Sequence, residues 1–105
     1  NRQGKRGIIM VSKKELENKL KELKPLLEKQ YKVKKLGYFG SYARNEANED
    51  SDVDILVEFS GDVGWEFLDL KDFLENNLNT EVDLVTMNAL KPQLKDEILK
   101  DVIYQ

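Results

Sequence analysis

The segment Asp52-Val53-Asp54-Ile55-Leu56-Val57-Glu58-Phe59 constrains this chain more than any other. Side chains alternate across an extended strand, so Val53, Ile55, Val57 and Phe59 share one side. Asp52, Asp54, Leu56 and Glu58 share the other. A strand with this pattern has to lay its apolar side on a packed layer and turn its carboxylates toward water, ligand or cation. The fold must therefore be a sheet with one covered face and one carboxylate-bearing face, and the remaining elements must supply the cover.

Those elements can be read from their periods. Ser12 and Glu15 have capping-box spacing. Leu16, Leu20, Leu23 and Leu27 then recur at helical intervals, which predicts an amphipathic helix of about five turns. Pro25 inside that stripe predicts a kink or break near Lys24. Lys32 to Phe39 reads as a first strand entering Gly40-Ser41, with a short helical turn from Tyr42 to Ala47. Asn48-Glu49-Asp50-Ser51 carries turn chemistry, and Ser60 to Gly64 reads as a loop. Trp65 to Leu78 is the next helix, with Phe67, Leu70, Leu74 and Leu78 on one face and Asn79 as a left-handed stop. Glu81 to Met87 is a third strand. Lys91-Pro92 opens a last helix, where proline is tolerated in the first turn, and Leu94, Ile98 and Val102 form its apolar stripe.

At 105 residues the chain has the length of one domain. The reading is α/β (α+β): a small mixed sheet with helices on its apolar face, occupying residues 11–105. Residues 1–10 read as a flexible leader or an expression remnant. No apolar run reaches the roughly 18 residues of a membrane span, and the charged-then-apolar-then-small pattern of a signal peptide is not seen, so a cytoplasmic protein is expected.

Composition narrows the chemistry. The chain has no Cys and no His. Disulfides, zinc held by thiolate or imidazole, and nucleophiles that depend on Cys or His are therefore excluded. Any metal has to be oxygen-bound, which favours Mg²⁺, Mn²⁺ or Ca²⁺. The net charge of −3 hides a polarity: most Lys and Arg precede Asn45, and from Glu46 to Asp83 only Lys71 is basic. Most of these charges read as solvated surface.

A few carboxylates are placed by spacing. Asp52 and Asp54, two apart on a strand, point the same way and repel. Should the Glu81–Met87 strand pair beside them, Asp83 completes a three-carboxylate cluster while Val82 and Leu84 enter the core. Leu56, Val85 and Met87 share the open face, where they could floor a site or meet a partner. Three such groups suit two Mg²⁺ ions about 3.5–4 Å apart, the arrangement used for displacement at phosphorus. Phosphates need donors opposite the metals. Gly40 permits close backbone approach, Ser41 can cap a short helix, and Arg44 can add a permanent positive charge. Taken singly, a Gly-Ser turn, an Asp-x-Asp strand and a lone Arg each have ordinary surface explanations. Their combination, in this order, points to nucleotide chemistry.

Gly40-Ser41, ten intervening residues and then Asp52-Val53-Asp54 resemble the signature of the minimal nucleotidyltransferases of the DNA polymerase beta superfamily. The surrounding Gly-Ser-Tyr-Ala-Arg, the strand Ser51 to Val57, the segment Val82 to Thr86 and the stretch Leu90 to Tyr104 are similar as well. The resemblance implies a nucleotidyltransferase fold, metal on Asp52, Asp54 and Asp83 (Mg²⁺, with Mn²⁺ as the alternative), and NTP phosphates on Gly40, Ser41 and Arg44. It further implies an antitoxin that transfers AMP from ATP to a tyrosine of a HEPN-type toxin, in a hetero-oligomer with that toxin. Neither membrane association nor direct nucleic-acid binding is expected. Asn45 departs from the glycine usual at that place, and asparagine tolerates left-handed backbone. Two other readings follow from the same residues. In one, the acceptor is a small molecule or an RNA end. In the other, the chain is a non-catalytic module that masks a toxin.

Overall fold

The computed structural model describes residues 11–105, so the reading of residues 1–10 as a leader lies outside the described residues. Helix α1 (Lys13–Gln30) begins at a complete capping box. The Ser12 hydroxyl accepts from the Glu15 amide at 3.0 Å, and the Glu15 carboxylate accepts from the Ser12 amide at 3.1 Å. Leu16, Leu20 and Leu27 of α1 are wholly buried, each contributing about 1.5–3 kcal/mol by burial.

The helix does not break near Lys24 but runs on through Pro25. A proline in a helix interior costs about 3 kcal/mol in isolation, because it removes one backbone hydrogen bond and crowds the preceding turn. Here Pro25 and Lys21, the residue whose carbonyl loses its partner, both lie on the exposed side. Buried Leu20 and Leu27 anchor the turns before and after it, and packing outweighs the local defect.

Strand β1 (Val33–Phe39) pairs antiparallel with β2 (Val53–Phe59), in a register that sets Gly37 opposite Leu56 and Phe39 opposite Asp54. Helix α2 (Trp65–Leu78) ends at Asn79, whose φ of 55° is the left-handed stop expected there. Strand β3 (Val82–Thr86) lies parallel to β2, the pairing that a helical crossover permits. A 3₁₀ turn (Met87–Ala89) leads to α3 (Pro92–Asp101) and a two-residue strand, β4 (Ile103–Tyr104), antiparallel to β1. The sheet order is β3-β2-β1-β4.

One face of the sheet forms the core. Leu36 and Tyr38 of β1, Val53, Ile55, Val57 and Phe59 of β2, and Val82 and Leu84 of β3 pack with the α1 leucines and with Leu70, Leu74 and Leu78 of α2. Lys35, Gly37, Asp54, Leu56, Asp83 and Val85 alternate onto the opposite face. Leu56 is 1% exposed, yet it stands outside the main core cluster, so this second face is partly covered.

Val102 contributes to that cover. A Cβ on Gly37 would meet the Val102 Cγ2 and the Ile103 carbonyl, each at 2.9 Å. Only a residue without a side chain lets the C-terminal strand approach this closely. The stripe expected along α3 is correspondingly weak. Leu94 is 54% exposed and no residue of α3 is buried, because the helix leans on β1 through its last turn rather than along its length.

Candidate active site

The turn after β1 forms because Gly40 and Asn45 both accept left-handed backbone, with φ of 72° and 61°. Between them the chain winds once. The Arg44 amide donates to the Gly40 carbonyl at 3.0 Å, and the Glu46 amide to the Ser41 carbonyl at 2.8 Å. The expected helical turn from Tyr42 to Ala47 is thus a hydrogen-bonded turn over 40–45 and not a helix, because Asn45 reverses the backbone before a second turn can form. Buried Tyr42 anchors this turn to the core. Ser41 is half-buried and Arg44 exposed.

Pairing of the strands brings the acidic side chains to the same place. Asp54 sits opposite Phe39 on one side and level with Asp83 on the other. Gly40 directly follows Phe39, so its backbone lies against the Asp54 carboxyl: a Cβ there would overlap Oδ2 and stand 3.1 Å from Cγ. Asp83 therefore joins Asp54 from a separate strand, as the alternation predicts. Asp52, one residue before β2, is exposed.

The electrostatics follow from this crowding. The Asp54 pKa is pushed up to about 6, first by burial, then by the Asp83 charge and then by the Asp52 charge. A hydrogen bond from protonated Asp54 to Asp83 raises it slightly further, and the Arg44 charge pulls the other way. Among the described residues, no three His, Cys, Asp or Glu side chains are gathered around a single point that could hold an ion. The convergent unit is the Asp54–Asp83 pair, with Asp52 near enough to be felt. Two oxygen-donor groups on adjacent strands, with the half-buried Asp54 held back from ionising, suit a divalent cation that takes its remaining ligands from phosphate.

Arg44 has partners that no sequence pattern announces. Its Nε donates to Glu46 at 3.0 Å and its Nη1 to Asp101 at 2.8 Å. Asp101 is the last residue of α3, 57 positions away in sequence. No spacing rule links positions so far apart.

Residues 14–105 match the family described as nucleotidyltransferase domain. Over 98 residues the chain is 41% identical to the protein adenylyltransferase MntA of Thermococcus cleftensis, covering 92% of this chain and 99% of that one. It is 46% identical over 92 residues to a Methanocaldococcus jannaschii protein whose name proposes protein adenylyltransferase activity, covering 86% and 94% of the two chains. A solved structure proposed to be a minimal nucleotidyltransferase superposes with a TM-score of 0.79 at 34% identity, over 92% of this chain and 98% of that one. A toxin–antitoxin crystal structure with AMP-PNP superposes with a TM-score of 0.70 at 25% identity, over 83% and 71%.

Proposed function

The chain belongs to the nucleotidyltransferase domain family, and on that premise we propose that it transfers AMP from ATP to a tyrosine of a HEPN-type toxin in the cytoplasm, acting as the antitoxin in a hetero-oligomer with its target. The observation that carries this reading is the placement of the Asp54–Asp83 pair against the Gly40 backbone, with the Arg44 charge within its reach. Similarity to protein adenylyltransferases along nearly the whole chain supports a protein acceptor. Likeness to a toxin–antitoxin assembly that binds an ATP analogue supports the partner and the nucleotide.

In this reading the tyrosine oxygen attacks the α-phosphorus of ATP. An O–P bond forms to tyrosine, the bond between the α-phosphorus and the bridging oxygen breaks, and pyrophosphate leaves. Asp83 accepts the phenolic proton. Gly40 and Ser41 bring backbone and hydroxyl donors to the polyphosphate, and Arg44 offsets its negative charge. Asp54 and Asp83, with Asp52 beside them, would hold Mg²⁺, which supplies charge neutralisation at the phosphates when bound. Holding reactants in line and stabilising charge is most of what phosphoryl-type transfer requires.

The test is intact-mass measurement of a candidate HEPN-type toxin, after incubation with the chain, ATP and Mg²⁺. The expected result is toxin heavier by whole AMP units with the native chain and unchanged toxin with Asp54→Ala. Equal masses with both chains would refute transfer to that partner. A nucleotide-dependent product with unmodified toxin would move the acceptor to a small molecule or an RNA end.

A further inference from the structure

We propose that Asp101 is a positioning residue for nucleotide binding: it holds the Arg44 guanidinium beside the glycine–serine turn, with its unengaged hydrogens left for the ATP polyphosphate. The inference rests on the reading above, in which Arg44 contacts phosphate.

A guanidinium carries five N–H donors in a rigid plane. In this structure Nε is engaged by Glu46 and Nη1 by Asp101. Among the described residues, both hydrogens on Nη2 and one on Nη1 remain, enough to pair with phosphate oxygens at two points. A long side chain held in this way surrenders less conformational freedom when ligand arrives, so affinity gains from preorganisation.

Glu46 alone cannot provide that restraint. It is two residues from Arg44 in the same turn, its side chain is 63% exposed, and it moves with the turn. The Asp101 side chain is 29% exposed and belongs to another element. Its position is set from the sheet: Val102 packs over Gly37, and Tyr104 and Ile103 pair with Gly37 and Tyr38 of β1. Strand β1 also leads directly into Gly40. The carboxylate that restrains Arg44 and the turn that presents it therefore share one strand as their base, and the C-terminal segment becomes part of the nucleotide site.

The experiment is calorimetric titration of the full chain with AMP-PNP and Mg²⁺, for the native chain, Asp101→Asn, Asp101→Glu, Arg44→Ala and the Arg44→Ala/Asp101→Asn double variant. Asp101→Asn is expected to weaken binding about fivefold, the upper end for an exposed ion pair. Asp101→Glu keeps the charge and should recover most of that loss. In the Arg44→Ala background, Asp101→Asn should change nothing further, which a purely structural role for Asp101 would not produce. Native or tighter affinity in Asp101→Asn, beside a weakened Arg44→Ala, overturns the proposal, as does an undiminished loss in the double variant. Native affinity in Arg44→Ala would instead refute the phosphate role of Arg44, and the proposal with it.

Discussion

Gly40 places its left-handed backbone so close to Asp54 that a methyl group in its place would overlap the carboxylate. Two independent penalties therefore meet at one position. Gly40→Ala carries the cost of positive φ, about 1–2 kcal/mol, and must also displace the Asp54 side chain. A lower urea midpoint is expected together with loss of AMP transfer. A variant that kept full activity would show that the turn and the carboxylate are not coupled.

The burial of Asp54 beside other carboxylates predicts a pH dependence. The folded-state pKa of Asp54, about 6, exceeds its ordinary 3.8. Between those values the folded chain holds more protons than the unfolded one, so stability falls as pH rises through that window and levels off above it. Urea midpoints measured from pH 4 to 8 without divalent cations should show this decline, and Asp54→Asn should flatten it. At pH 7 that variant is expected to be more stable than the native chain and inactive in transfer. Adding Mg²⁺ at pH 7 should raise the native melting temperature and leave that of the variant nearly unchanged.

Asn45, at φ 61°, ends the turn where glycine would do so without a Cβ. Asn45→Gly is expected to leave AMP transfer intact and to alter stability by less than about 1 kcal/mol, since among the described residues its side chain makes only the exposed Lys13–Asn45 hydrogen bond. Asn45→Val should destabilise by about 1–2 kcal/mol, because a β-branched residue is strained there. Thermal melts and initial transfer rates of the two variants check both statements.

Tyr38 is fully buried, and its hydroxyl donates to Glu17 of α1. Burial first, and then Glu17, push its pKa far above the usual tyrosine value, so it stays a neutral donor. Tyr38→Phe removes one hydrogen bond between sheet and helix and should cost about 1 kcal/mol. Because Tyr38 lies on the core face, transfer rates are expected to be unchanged once the variant is folded. A large loss of activity at native stability would contradict that separation of the two faces.

Strand alternation and helical spacing were enough to place most of this fold. Val53, Ile55, Val57 and Phe59 declared which face of the sheet is covered, and the capping box at Ser12 marked the start of α1. The same alternation put Asp54 and Asp83 on a common face, because a strand offers each side chain only two directions. Local rules misled where packing opposed them. Pro25 argued for a kink or break, and the buried leucines on either side keep the helix continuous. The Leu94, Ile98 and Val102 stripe suggested a seated helix, yet α3 rests on its last turn. Strand β4 is not legible in the sequence because two residues carry no period.

Position and pattern along the chain thus sufficed for which residues share a face of the sheet. How closely they approach one another is a matter of register and docking between distant segments. The pairing of β3 beside β2 sets Asp83 level with Asp54, so that its charge bears on the Asp54 carboxyl. The return of the C-terminus over Gly37 gives Arg44 its distant partner, Asp101. Such contacts are set by shape and charge across many residues of separation, where no repeat in the sequence can record them.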